Sequence, residues 1–234
     1  MDFYQLLVDN KELIKVAYAL MVTLICMIIV LKTDKLFRLS SHEGIRYFRN
    51  AFLFYGLAFM VRYFFGVVFA GFASYNFFIA IFEYFMVLAG FFLLYSLIWK
   101  KFNTSYSSLF NFRIFVFYLM AMVIVLLDNL FVTYNFMFYS QIILFFYASL
   151  IAYSNYVKNP KRKFLKFYFV AMVLELITWI LNLLAANLFS FNRMVLLNIG
   201  IINVITFLLI LYGIIRVTKK WLQKNVNDLK LYET

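Results

Sequence analysis

One cysteine (Cys26), one histidine (His42) and one proline (Pro160) occur in 234 residues, and only 14% of the chain is charged. A single cysteine excludes an internal disulfide, a multi-cysteine metal site and the cysteine pair of thiol-redox membrane enzymes. A single histidine excludes the His pair of intramembrane metalloproteases. It also leaves a membrane serine without a buried imidazole to activate it. No phosphate-cradling glycine loop is present. The expectation is therefore a protein that is not an enzyme and holds no metal. Pro160 falls in a connection, and sharp helix kinks mostly need proline or paired small residues, so largely continuous helices are expected.

What is abundant is apolar surface. Hydrophobic residues make up 66% of the chain and aromatics 23%, giving a mean hydropathy of +0.90. A soluble domain leaves most outer positions polar and has no use for this composition. The fold class predicted is all-α: a polytopic membrane protein with a seven-helix transmembrane bundle over residues 1–217. Apolar runs span 13–31, 49–71, 76–99, 112–132, 136–157, 164–189 and 194–217, each close to the ~20 residues a span requires. Asp2, Asp9 and Glu12 stand where a cleaved signal would carry positive charge, so the first run is expected to remain as a helix. Residues 218–234 form a basic tail. Trp221, Leu222, Val226 and Leu229 there suit a short amphipathic helix on anionic headgroups.

The net charge of +12 is distributed in blocks, which makes nucleic acid an unexpected partner. Lys32, Lys35, Arg38, Arg46 and Arg49 lie in the first connection, and Lys100, Lys101 and Arg113 in the third. Lys158, Lys161, Arg162, Lys163 and Lys166 lie in the fifth, and Arg216, Lys219, Lys220, Lys224 and Lys230 follow the last run. The other side has Lys11, Lys15 and Arg193. By the positive-inside rule the N-terminus is outside and the C-terminus cytoplasmic, in a plasma membrane with anionic headgroups facing the basic blocks.

A faint internal echo runs through the chain. Phe92-Leu93-Leu94-Tyr95 precedes Lys100-Lys101, as Leu209-Ile210-Leu211-Tyr212 precedes Lys219-Lys220. Arg46-Tyr47-Phe48-Arg49 opens the second run, and Lys163-Phe164-Leu165-Lys166-Phe167-Tyr168 opens the sixth. The paired runs point the same way, which allows a parallel three-plus-one-plus-three duplication with the fourth helix as linker.

The charges inside the runs are the candidates for function, because a charge in hydrocarbon costs several kcal/mol. Arg62 and Glu83 flank the second connection at similar depth, ~15 Å below the outer surface at 1.5 Å per residue. An ion pair between them is expected to offset part of that burial. Glu175 sits near the midplane of the sixth run with no cation on its own helix. Thr178, Trp179 and Asn182 follow at i+3, i+4 and i+7 on the same face, while Asn203 and Thr206 reach similar depth on the seventh. These residues are expected to form a polar seam, with one of the two carboxylates linked to a proton and a small ligand or proton as partner. Asp128 and Asn129 read as an interfacial helix end, and Asn187, Asn192 and Arg193 as the outer turn. His42-Glu43 reads as a solvated helix start, with Ser40 or Ser41, Glu43 and Gly44 as its cap chemistry.

Seven helices with the N-terminus outside resemble the layout of microbial opsins, receptor-type bundles and SWEET-type sugar transporters. The resemblance covers the topology of the whole chain and no motif. An opsin needs a lysine in its last helix, and Met194 to Val217 contains none, so no retinal and no other cofactor is expected. SWEET-type repeats carry prolines that are missing here. A receptor- or sensor-like bundle signalling to a cytoplasmic partner protein is the first functional expectation. A small transporter or ion pathway is the second, and a structural subunit the third. Unbroken helices favour the first and a real repeat favours the second.

Overall fold

In hydrocarbon a backbone must satisfy its own N–H and C=O groups, and among the described residues this chain does so with helices alone. The computed structural model describes residues 11–40, 42–66, 75–99, 112–131, 135–159, 163–188 and 193–232. The helices are α1 (Lys11–Ser40), α2 (Glu43–Phe59), α3 (Tyr75–Ile98), α4 (Phe112–Phe131), α5 (Asn135–Lys158), α6 (Lys163–Leu188) and α7 (Arg193–Tyr232). Six of them, all but α2, are long and apolar enough to cross a membrane. Large apolar side chains stay exposed along their outer faces, among them Phe115, Leu119, Met122 and Leu126 on α4 and Ile143, Phe146 and Leu150 on α5. That surface suits lipid, and the protein is a multi-pass helical membrane protein. Small polar residues obey the same rule. Thr178, Thr206 and Thr218 each donate their hydroxyl to the carbonyl four residues back, at 2.8–2.9 Å, which satisfies them within their own helix.

Neighbouring helices pack in the order α1, α2, α3, α5, α6, α7, and α7 returns to α1 to close a ring. Helix α4 lies outside it, against α3 and α5; α3 is the most enclosed helix and α4 the least. The aromatic residues fill the interior. Phe52 and Tyr55 of α2 meet Phe207 of α7 at 5.9 and 5.6 Å between ring centroids, and Phe48 meets Tyr168 of α6 at 6.0 Å.

Two expectations about continuity change. Helix α2 is not uniform: at Phe59 it passes into a π-helical turn, Met60–Phe65, with no proline in it. One turn earlier, the missing side chain of Gly56 lets Cys26 of α1 come so close that a Cβ there would stand 3.2 Å from the Cys26 Cβ. At this approach Thr23 of α1 directs its hydroxyl at the Gly56 carbonyl, at 3.4 Å, and the Met60 N–H divides between Gly56 and Leu57. A π turn takes up an extra residue and resets the face presented after it. Helix α7, by contrast, runs on as one helix of 40 residues to Tyr232. The side chains of the expected amphipathic tail, Trp221, Leu222, Val226 and Leu229, lie outside the described ones.

Helix ends also carry more structure than their polarity suggests. Helix α1 outlasts its apolar run, and Asp34 there accepts from Arg38 at 3.0 Å and from Arg49 of α2, tying the two helices together. His42 occupies the cap position of α2 in an extended conformation without a side-chain cap bond. It is not simply solvated: its ring packs edge-on against Trp99 at 4.6 Å.

Candidate functional site

Arg62 lies in the π-helical turn, half-buried, and its guanidinium stands over the Phe82 ring with Cζ 4.4 Å from the centroid. Tyr63 offers a second face at 5.4 Å. No ion pair joins Arg62 to Glu83 among the described residues, and the buried Nε of Arg62 has no hydrogen-bond partner among them. Depth counting brings Arg62 to the right level but not to the right side of α3. Adjacent residues on a helix point about 100° apart, so a guanidinium on Phe82 is turned away from Glu83. A desolvated cation on an aromatic face contributes roughly 2 kcal/mol, which replaces the expected ion pair.

Glu83 is 3% exposed, and the charge acting on it most strongly is Asp128, ahead of Arg62. Asp128, 1% exposed, is no interfacial loose end. Its two carboxylate oxygens accept from the backbone N–H of Phe136 at 3.0 Å and of Met137 at 2.7 Å. These are amides of the first turn of α5, so a residue of α4 serves as the N-cap of the next helix and also meets its dipole. The second carboxylate acting on Glu83 is thus Asp128, where Glu175 was expected.

Deeper along the α3–α5 contact, fully buried Gln141 donates to the Met86 carbonyl at 3.4 Å. It fits only because Gly90 faces it: a Cβ at position 90 would lie 2.5 Å from Oε1. Sequence reading gave Gln141 no role.

Glu175 forms a separate centre. It is 4% exposed, and its Oε1 has no hydrogen-bond partner among the described residues. None of the described Lys, Arg, Asp or Glu residues acts on it. The groups that feel its charge are Tyr18 and Cys26 of α1 and Tyr55 of α2. The Tyr55 hydroxyl is likewise buried without a partner, whereas the Tyr18 hydroxyl meets Asn203 of α7. Tyr18 reaches that position by packing across Gly200, with its ring 3.5 Å from where a Cβ would be. Helices α1 and α2 therefore meet at the carboxylate of α6, and α7 joins them through Tyr18.

Of the expected seam, Glu175 and Asn203 come together through Tyr18. Asn182 donates instead to the Thr178 carbonyl at 3.0 Å, and Thr178 bonds its own helix. Trp179 turns toward α5, with its ring 6.2 Å from Phe138. Arg62 and Glu83 belong to the other cluster. Tyr18 and Tyr55 were missed because tyrosines are numerous in this chain and only helix packing selects these two. Among the described residues no three of His, Cys, Asp and Glu gather at one place. No protein-family model, curated protein or solved structure matches this chain.

Proposed function

We propose that the protein is a small secondary transporter, carrying a solute without chemical change, with its central site at Glu175, Tyr55, Tyr18 and Asn203. The observation that carries this reading is the buried Glu175 carboxylate, facing Tyr55 across the middle of the bundle with no countercharge among the described residues. An isolated carboxylate in such a place exists either neutral or with a cation brought to it. Alternation between those two states is what a coupling site needs.

Helix α2 is not the uniform helix that favours a sensor, since it passes into a π-helical turn at Met60–Phe65, and such turns are frequent at functional sites. A parallel repeat is supported by the layout of the ring, with α1–α3 and α5–α7 as the halves and the linker α4 outside it. In this reading α2 and its π turn form a seventh span, and the basic connections face the cytoplasm.

Uptake into proteoliposomes tests the proposal, with panels of labelled sugars, amino acids, carboxylates and amines, with and without a pH gradient. Gradient-driven uptake of one panel by the native protein, absent in Glu175→Gln, is the expected result. No flux of any solute removes the transporter reading and returns the site to a sensor role.

A further inference from the structure

The contacts of Glu175 continue toward one end of the bundle as a file of buried hydroxyls. Tyr168 lies seven residues before Glu175, two turns away on the same face of α6, or about 10 Å along the axis. Both are buried. On α2, Phe48 and Tyr55 are likewise seven residues apart, and Phe48 packs on the Tyr168 ring at 6.0 Å between centroids. Tyr55 therefore stands at the level of Glu175, and its buried hydroxyl is within electrostatic reach of both Glu175 and Tyr168. Tyr168 in turn interacts with Ser96 near the end of α3, whose carbonyl lies against Gly44 at the start of α2, the end of that helix that carries Arg46 and Arg49. Ser96 itself is anchored by donating to the Leu93 carbonyl at 2.6 Å.

From this arrangement we infer that Glu175 exchanges a proton with the basic end of the bundle along Tyr55, Tyr168 and Ser96. The inference rests on the transporter reading and deepens it by naming the coupling ion and the side from which it arrives. Buried hydroxyls spaced beyond direct bonding are the kind of groups that internal water bridges. Such a file hands a proton on by donating from one oxygen while accepting at the next, so no net charge is left on any tyrosine. Toward the opposite end the surroundings differ: Tyr18 leads to the amide of Asn203, and beyond them stand the rings of Phe59 and Tyr63. The titratable groups facing Glu175 are Tyr18 and Cys26 from α1 and Tyr55 from α2; none of the described Lys, Arg, Asp or Glu residues acts on it.

Infrared spectroscopy of the full-length protein in lipid tests this. The protonated carboxyl band of Glu175 is identified by its loss in Glu175→Gln, and the rate at which it shifts in D2O is followed. Tyr55→Phe and Tyr168→Phe remove one hydroxyl each, and circular dichroism checks that both remain folded. The expected result is exchange slowed about tenfold or more in both variants, with the native rate in Tyr153→Phe on the lipid face. Native rates in Tyr55→Phe and Tyr168→Phe, with the band intact, overturn the route and leave the transporter reading standing. No protonated Glu175 band in the native protein at any pH overturns the proton as coupling ion, whatever the flux assay shows.

Discussion

Arg62 stands over the ring of Phe82, 4.4 Å from its centroid, and forms no ion pair with the neighbouring Glu83 among the described residues. A cation in the membrane is thus held by a ring and by a distortion of its own helix. This relationship fixes where α2 and α3 meet and keeps Arg62 apart from the Glu175 centre.

A double-mutant cycle measures that contact. Arg62→Gln and Phe82→Leu should couple by about 1–2 kcal/mol in unfolding free energy, as a desolvated cation–ring pair does. Arg62→Gln with Glu83→Gln should couple by less than about 0.5 kcal/mol. The reverse ranking would restore the ion pair.

Asp128 should behave as a helix cap. Asp128→Ala removes both acceptors for the Phe136 and Met137 amides and should cost about 1–2 kcal/mol. Asp128→Asn keeps one acceptor oxygen and should cost clearly less. Thermal unfolding in a mild detergent gives both values, and equal losses would show that the charge matters and the cap does not.

The α3–α5 crossing should be intolerant of a single methyl. Gly90→Ala places a Cβ 2.5 Å from the Gln141 Oε1, and Gln141 cannot swing away without losing its bond to Met86. A cost of about 1–3 kcal/mol is expected, relieved in Gly90→Ala with Gln141→Ala. A fully additive double variant would contradict the contact.

Asp34 is a weaker fastening. Its side chain and that of Arg49 are 28% and 26% exposed, so Asp34→Asn should lower stability by less than about 1 kcal/mol. Chemical unfolding would show it, and a larger loss would make this pair part of the core.

Part of the architecture is legible in the residues: the bounds of α3, α4, α5 and α6 follow from the apolar runs 76–99, 112–132, 136–157 and 164–189, whereas α1 and α7 outlast theirs. What the sequence does not carry is rotation about each helix axis and the identity of lateral neighbours. Arg62 and Glu83 share a depth but not a direction. Asp128 looked interfacial because the helix it caps starts after it in the chain. The π turn at Met60–Phe65 has no proline to announce it. Glu175 was legible as an anomaly, but Tyr18, Tyr55 and Cys26 became its neighbours only when α1 and α2 closed around α6.

The most direct test of Glu175 as a functional group is its replacement by methionine, a side chain of similar length without charge. A carboxylate retained for function at the expense of folding is a stability liability, as unpartnered buried polar groups cost about 1–3 kcal/mol. Glu175→Met should therefore raise the melting temperature, by roughly 2–4 °C for each kcal/mol in a protein of this size, while abolishing gradient-driven uptake. A lower melting temperature with uptake preserved would contradict it and make Glu175 a fastening between helices.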